Sequence, residues 1–169
     1  MGEHVDDPRF AGFYGLLVVE WRMRERLDAE LGAAAGLSLS QFELVMQLHF
    51  KDGRRRMSDL AEALLLSRGG ATRLVARAEQ EGLVRREIPP DDRRATYAVL
   101  TPAGRAAAER SYPRYLEIVQ RIFHDFVDDE EAEVLVRVWH RVLAGNRLEC
   151  GPVTHAAEAI AAQHERVAG

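Results

Sequence analysis

The chain has 169 residues and a formal net charge of −4, and 47% of its residues are hydrophobic. This length is typical of one domain, or of one domain with an appended dimer interface. No apolar run is long enough to span a bilayer, the N-terminus lacks a signal-peptide pattern, and the single Cys150 cannot form an internal disulfide. These features argue against a membrane partner and favour a cytoplasmic location.

The charge is distributed unevenly along the chain. Residues 51–94 carry eleven Lys or Arg and eight Asp or Glu, a net charge of +3, which leaves −7 on the remainder. A basic segment between acidic flanks indicates that a nucleic-acid partner would contact that segment alone. The acidic flanks are expected to form dimer arms or solvated helix faces.

A long first helix is predicted from Phe10 to about Leu31, because apolar residues recur there at helical spacing. Its aromatic side chains exceed what a small core requires and favour an oligomer contact, although Trp21 could line a ligand pocket. A second helix extends to about Phe50, and Ser40 with Glu43 is predicted to form its capping box.

A basic connector, Lys51–Arg56, follows, and its arginines are expected either to meet phosphates or to complete a sheet. The third helix is predicted from about Asp59 to Leu65, with Ser58 as its N-cap. Leu65 stands where a turn often has a glycine in the left-handed conformation. The sequence therefore predicts that this turn uses another geometry.

The segment Ser67–Gly82 is predicted to be a helix with two different faces. One face is apolar and made for burial: Ala71, Leu74, Val75 and Ala78. The opposite face is small and polar, with arginines at its edges: Gly69, Thr72, Arg73 and Ala76, flanked by Arg68 and Arg77. Such a face fits the DNA major groove, where arginine is the commonest specific reader.

A hairpin follows this helix. Leu83–Ile88 and Arg93–Leu100 are predicted as strands, and the segment Pro89–Asp92 between them has the composition of a turn. Two arginines, Arg93 and Arg94, then lie at the tip. Helix, turn, helix and a basic-tipped hairpin indicate a winged helix-turn-helix that binds DNA. The alternative is an amphipathic helix followed by an ordinary solvated hairpin.

The rest of the chain is predicted to be helical. Thr101 and Pro102 begin a helix that Pro113 is expected to bend or split. Asp128 and Glu131 form the capping box of the next helix, and an alanine-rich helix is predicted at 154–167. These helices and the first one are expected to form a helical dimerisation domain.

Taken in order, these motifs make the chain resemble the MarR family of bacterial transcriptional regulators over nearly its full length. The segments that carry the resemblance are Leu60–Glu62, Leu66–Ser67, Thr72–Val75, Glu81–Arg86, Asp92–Ala95 and Leu100–Gly104. The resemblance implies a mainly α fold with a small β wing: a dimerisation helix at 1–37, a winged helix-turn-helix at 38–100 and dimerisation helices at 101–169. It also implies a homodimer, and by family expectation a repressor, that binds palindromic operators in double-stranded DNA.

The resemblance also assigns roles on the wing. Arg94 would enter the minor groove, and Asp92 would orient the wing through a salt bridge. The predicted DNA-binding set is then Ser67, Arg68, Gly69, Thr72, Arg73, Arg77, Asp92, Arg93 and Arg94. Arg68 and Arg73 are the expected readers of bases or phosphates, and the helix start at Ser67 is suited to a DNA phosphate.

An effector is also implied, a small phenolic or lipophilic ligand, an oxidant or a metal, bound between the dimer helices and the DNA-binding lobe. By position the candidates for its pocket are Trp21, Met46, His49 and Phe50. An oxidant is disfavoured because the first helix has no cysteine, and a metal because the six histidines form no ligand-spaced cluster with cysteine. We predict no cofactor.

No phosphate-cradling glycine motif, nucleophile elbow or HExxH motif is present, so an enzyme is not predicted. Two alternatives stay open: a winged-helix module that binds a protein, and an architectural DNA-binding protein without an effector. Salt-sensitive, sequence-selective DNA binding would exclude the first. Equal affinity for operator and random DNA would favour the second.

Overall fold

The computed structural model describes residues 7–92 and 94–147. In chain order these residues form α1 (Pro8–Ala35), α2 (Leu39–His49), β1 (Arg54–Arg56), α3 (Met57–Ala63), α4 (Arg68–Gln80), β2 (Val84–Glu87), β3 (Tyr97–Leu100), α5 (Pro102–Ile122), a 3₁₀ helix (His124–Phe126) and α6 (Asp129–Gly145). The predicted fold class, mainly helical with a small β wing, is confirmed. Arg93, Cys150 and the helix predicted at 154–167 lie outside the described residues.

The three strands form one antiparallel sheet in the order β1-β3-β2. The basic connector supplies an edge strand of this sheet, because Arg55 pairs with Ala98 of β3. The return strand begins at Tyr97, later than predicted, because the chain first makes a turn. In that turn Asp92 Oδ1 accepts the N–H of Arg94 at 3.0 Å, and Asp92 O accepts the N–H of Ala95 at 3.1 Å.

The core of the molecule lies under this sheet, in the segment from α2 to β3 that we call the winged lobe (Leu39–Leu100). Its fully buried side chains include Leu44, Val45, Leu48, Leu60, Val75, Val84 and Ala98. Leu31 of α1 and Ile118 and Ile122 of α5 pack against the same core. Each such aliphatic side chain contributes about 1.5–3 kcal/mol on burial, so the lobe also anchors the C-terminal end of α1 and much of the length of α5.

Helix α2 begins two residues earlier than predicted. Ser38, rather than Ser40, is the N-cap: its hydroxyl accepts the N–H of Gln41, and Gln41 Oε1 accepts the N–H of Ser38 at 2.9 Å. The predicted box at Ser40 and Glu43 is therefore wrong. Gln41 is buried and its amide also donates to Glu81 at the end of α4, so tertiary packing selects the earlier start.

Helix α3 also begins earlier than predicted, at Met57, with Arg56 in the N-cap position and no side-chain cap. Ser58 lies inside the first turn and donates its hydroxyl to Asp59 at 2.8 Å, so its predicted role as N-cap is wrong. The backbone N–H of Met57 donates to Thr96 O at 2.9 Å. The chain therefore passes from β1 into α3 without an intervening loop.

The turn between α3 and α4 is left-handed despite its leucine. Leu65 has φ of 53°, and the N–H of Leu66 donates to Ala61 O at 2.9 Å, a bond typical of helices that end in this conformation. The expectation that Leu65 forces another geometry is therefore wrong. Its side chain is 77% exposed, so the conformation is adopted without burying the leucine.

Helix α5 starts as predicted, with Thr101 accepting the N–H of Gly104 at 3.0 Å and Pro102 in the first turn. It continues through Pro113, and the predicted split does not occur. Residues on both sides of that proline, Ala108 and Ile118, are buried in one core, which favours a continuous helix. The predicted capping box of α6, Asp128 with Glu131, is confirmed.

Two helical segments pack little on the rest of the chain. Residues 8–22 of α1 are exposed throughout, and α6 has no buried residue. Their exposed large apolar side chains are Phe10, Phe13, Tyr14, Leu16, Leu17, Val18, Val19 and Trp21 on α1, and Val134, Val136 and Val142 on α6. We refer to residues 8–22 and α6 together as the arms.

Candidate nucleic-acid interface

Helix α4 presents the polar face that its sequence predicts. Ala71, Val75 and Ala78 are buried, and Leu74 is partly buried against the core. The opposite side is exposed: Arg68, Gly69, Thr72, Arg73 and Arg77 all face solvent. Ser67 is the N-cap and accepts the N–H of Gly70 at 3.1 Å. The predicted division of this helix into two faces is confirmed.

The exposed face of α4 is shaped by its small residues. A Cβ at Gly69 would lie 3.7 Å from Arg73 Nη1, so the guanidinium of Arg73 extends back along the helix over the glycine. Thr72 donates its hydroxyl to Arg68 O at 2.8 Å. This bond occupies the hydroxyl proton within the helix and leaves the methyl group as the part of Thr72 able to make an apolar contact.

The wing, residues 84–100, is held to the edge strand β1 by an acidic residue near its tip. Asp92 Oδ2 lies 3.7 Å from Arg56 Nη2 of β1, and Asp92 Oδ1 accepts the backbone N–H of Arg94. The same carboxylate therefore contacts both the edge strand and the turn that carries Arg94. The guanidinium of Arg94 itself is exposed.

Eight exposed arginines of the winged lobe fall into two groups, while Arg55 donates to Gln47 Oε1 at 2.6 Å. Four are held by carboxylates: Arg54 and Arg85 by Glu87, Arg56 by Asp92 and Arg86 by Glu79. Arg54 also stacks over Tyr97, at 3.6 Å from the ring centroid. Within residues 7–92 and 94–147, by contrast, no carboxylate pairs with four exposed arginines: Arg68, Arg73, Arg77 and Arg94.

Phosphates carry the dominant electrostatic attraction for a DNA-binding protein, and an arginine without an internal partner keeps its full charge for them. The two groups therefore differ in what they offer to DNA. The unpaired guanidiniums lie on α4 and at the wing tip, which are the two elements that a winged helix places in the grooves.

Comparison with known proteins places this geometry in a family. The MarR family model matches residues 35–95. Over 106 residues the chain is 30% identical to an uncharacterised HTH-type transcriptional regulator of Bacillus cereus, a match that spans 63% of this chain and 69% of that protein. The chain belongs to the MarR family. Its relatives are HTH-type transcriptional regulators, and it is accordingly a DNA-binding transcriptional regulator.

Solved structures of the MarR family agree with this assignment. AbsC from Streptomyces coelicolor is 29% identical and superimposes with a TM-score of 0.77, over 85% of this chain and 97% of AbsC. Sco3205, a MarR-family regulator from the same organism solved in complex with DNA, is 24% identical, with a TM-score of 0.76 over 86% of this chain and 91% of Sco3205. Because Sco3205 is only 24% identical to this chain, its similarity is evidence for a shared fold and for nothing further.

The four residues proposed for an effector pocket do not come together in this MarR-family chain. Trp21 lines a surface depression of about 370 Å³ between α1 and the start of α2, with Arg24, Glu25, Asp28, Leu39 and Ser40. Met46, His49 and Phe50 lie farther along α2, roughly 10–15 Å from Ser40 along its axis at 1.5 Å per residue. There the ring of Phe50 packs edge-on against His49 and Tyr112.

In this MarR-family lobe the sequence predicted a salt bridge from Asp92 but not its partner, and it did not predict the pair formed by Glu79 and Arg86. Arg56 is the partner of Asp92, although 36 positions separate the two residues. Glu79 binds Arg86 across the turn between α4 and β2. Neither pair has helical or cross-strand spacing, so only the tertiary structure identifies them.

No helix in the described part of the chain is long and apolar enough to cross a membrane.

Proposed function

We propose that this regulator is a homodimeric repressor that binds a palindromic operator and is released from it by a small phenolic or lipophilic ligand. In this proposal residues 38–100 bind DNA, and the segments 1–37 and 101–169 form the dimer interface. Repression then follows from occupancy of the operator, which excludes other proteins from the same DNA.

The observation that carries the DNA-binding part is the set of unpaired arginines on α4 and the wing. Arg68, Arg73 and Arg77 line the exposed face of α4, where a major groove would admit them. Arg94 lies at the wing tip, within reach of a minor groove, whose negative potential is strongest where A·T pairs narrow it. Ser67 and Gly69, at the start of α4, are proposed to contact a DNA phosphate, and the methyl group of Thr72 is proposed to contact a thymine.

Arg93 and Asp92 complete the proposed contact set. Arg93 adjoins Arg94 in sequence and adds a second positive charge to the wing tip. Asp92 is proposed to orient the tip rather than to touch DNA, because its carboxylate is occupied by Arg56 and by the N–H of Arg94. A carboxylate facing phosphate without these partners would repel it.

The arms support the homodimer. Eleven large apolar side chains of α1 and α6 are between 42% and 62% exposed. Large apolar side chains exposed in such numbers are typical of an oligomer interface. A two-fold dimer would present its two α4 helices about 34 Å apart, so operator half-sites are expected to repeat at about 10 bp.

The depression beside Trp21 is the proposed effector site, because it lies between an arm and the winged lobe. A ligand that binds there could shift the two lobes relative to each other and so disrupt simultaneous binding to both half-sites. A screen of substituted phenols for thermal stabilisation of the protein tests this idea. A hit that stabilises Trp21→Ala as well as the wild type would place the site elsewhere.

The test of the DNA contacts uses a palindromic duplex selected with the wild-type protein from a random-sequence pool. Arg94→Ala is expected to weaken binding by about tenfold or more at low salt while the dimer stays folded. Arg73→Ala is expected to weaken it comparably and to reduce the dependence of log K on log salt. Arg54→Ala, which removes an arginine already paired with Glu87, is the matched control and should change the salt dependence little.

Unchanged binding by Arg94→Ala in this titration would refute the wing contact. An equal loss for the Arg54 and Arg73 variants would refute the division into paired and unpaired arginines. Footprinting of the selected palindrome and a reporter gene placed behind it would test repression directly. A rise in reporter expression when the regulator is present would contradict the repressor assignment.

A further inference from the structure

One carboxylate joins the end of α4 to the first strand of the wing. Glu79, in the last turn of α4, accepts the backbone N–H of Arg86 at 2.9 Å through Oε1. Its Oε2 accepts Nε of the same arginine at 2.8 Å and lies 2.6 Å from Nη2. Both the backbone and the guanidinium of Arg86 are therefore held by a single side chain that lies seven residues earlier in the chain.

These bonds span the point where the chain reverses from helix to strand. Gly82 has φ of 73°, and the N–H of Leu83 donates to Ala78 O at 2.9 Å, so the connection between α4 and β2 is a tight turn. A turn fixes where the strand starts but leaves its direction to the contacts that follow. The bonds from Glu79 to Arg86 lie two positions beyond the start of β2, where they connect the strand, already paired with β3, to helix α4.

The charges of the two residues are used within the protein. The hydrogen bond from the backbone N–H of Arg86 lowers the pKa of the Glu79 carboxyl most, and the hydrogen bond from the Arg86 side chain lowers it further. The carboxyl is therefore ionised at neutral pH. The charge of Arg86 is in turn offset by Glu79, unlike the charges of Arg73 and Arg94, which have no carboxylate partner in the described residues. Arg86 is thus a basic residue of the DNA-binding lobe that is poorly placed to neutralise a phosphate.

We propose that Glu79 and Arg86 are positioning residues for DNA binding, which fix the wing relative to α4 so that Arg73 and Arg94 engage one duplex together. The inference rests on the proposed function, since it concerns the geometry between the two proposed DNA contacts. Neither residue touches DNA in this scheme.

The proposal predicts a sign opposite to that of simple electrostatics. Glu79→Gln removes a negative charge from a lobe that binds a polyanion, and charge alone would strengthen binding. The substitution also breaks the ion pair to Arg86. We therefore expect roughly fivefold to tenfold weaker binding to the selected palindrome. A loss of this size lies within the range of coupling free energies measured between contacting residues. Glu62→Gln, on the exposed surface of α3, is the matched control and should bind as well as or better than the wild type.

Arg86→Lys tests the other partner. It keeps the positive charge, so a phosphate contact at this position would survive, and the dependence of affinity on salt would stay the same. It loses the planar fork that binds Glu79 through two nitrogens. We therefore expect a loss similar to that of Glu79→Gln, with unchanged salt dependence. This variant decides the matter if Glu79→Gln proves not to fold.

A double-mutant cycle separates positioning from general destabilisation. If Glu79 acts by orienting the wing, the penalty of Glu79→Gln should fall to less than about twofold when Arg94→Ala has already removed the wing contact. Thermal unfolding and sedimentation confirm that each variant is a folded dimer. The same loss in both backgrounds, or unweakened binding by Glu79→Gln and Arg86→Lys, would overturn the proposal. Failure of Arg94→Ala and Arg73→Ala to weaken binding would instead refute the proposed contacts themselves.

Discussion

The winged lobe and the arms are built from the same kinds of residue but differ in where those residues lie. In the lobe the large aliphatic side chains, Leu44, Leu48 and Leu60 among them, are fully buried by the chain itself. In the arms Phe13, Leu17 and Val136 remain about half exposed. An exposed apolar surface of this kind is unfavourable in water, which supports the proposal that a second copy of the chain covers the arms.

The two regions also differ in how their charged side chains are paired. The winged lobe has several arginines without an ion-pair partner in the described residues, whereas charged residues in the C-terminal half of α1 form ion pairs. Arg24 pairs with Glu43 at 3.1 Å, and Glu30 binds both Arg26 and Arg121 of α5. The hydrogen bonds from Arg121 and Arg26 lower the pKa of the Glu30 carboxyl. The arginines of this part of α1 are thus held in ion pairs, unlike Arg73 and Arg94 at the proposed DNA contacts.

The largest effect is expected from placing a charge in the arms. Phe13→Asp should convert the dimer to monomers and abolish detectable binding to the palindrome, because a buried unpaired carboxylate is strongly disfavoured at an interface. Sedimentation velocity and a gel-shift titration measure the two losses. Arg9→Asp adds the same side chain at an exposed polar position of α1 and should stay dimeric. A dimeric Phe13→Asp protein would show that α1 is not the interface.

The next largest effect tests the junction between the lobe and α5. A Cβ at Gly104 would lie 1.9 Å from Leu83 O and 2.8 Å from Leu100 Cδ1, so Gly104→Ala must displace the base of the wing. We expect the free energy of unfolding to fall by about 3 kcal/mol, at the upper end for overpacking. Urea unfolding at one protein concentration gives the value.

The control for this junction is Gly32→Ala in α1, where an added Cβ meets nothing within 4 Å. There the substitution should raise the free energy of unfolding by about 0.5–1 kcal/mol, because alanine is the better helix former. Similar values for the two variants would contradict the close packing of α5 against the wing.

The smallest effect concerns the turn between α3 and α4. Leu65→Gly should raise the free energy of unfolding by about 0.5 kcal/mol, because the left-handed conformation is less favourable for leucine than for glycine and the exposed side chain contributes little burial. Leu66→Gly, at a neighbouring residue without positive φ, should lower it by about 1–2 kcal/mol, because its side chain is only 38% exposed. A loss of stability in the first variant would mean that the Leu65 side chain makes contacts in the dimer.

Local patterns were sufficient wherever one helix face or one cap decided the structure. The burial of Ala71, Val75 and Ala78 follows from helical spacing alone, and Thr101 and Asp128 cap their helices as predicted. Local patterns were insufficient where two nearby residues could each act as the N-cap of the same helix. Ser38 and Ser40 both have a suitable residue three positions later, and the choice depends on Gln41 reaching Glu81, forty positions away in the chain.

The sequence by itself predicted the six described helices, the two strands of the hairpin and the polar face of α4, because helical periodicity, capping residues and turn composition are local properties. It also predicted the family and the set of residues proposed to meet DNA. Only the tertiary structure decided which arginines remain unpaired. The carboxylates that occupy Arg56 and Arg86 come from other elements, and their distances depend on how α4, β1 and the wing pack together.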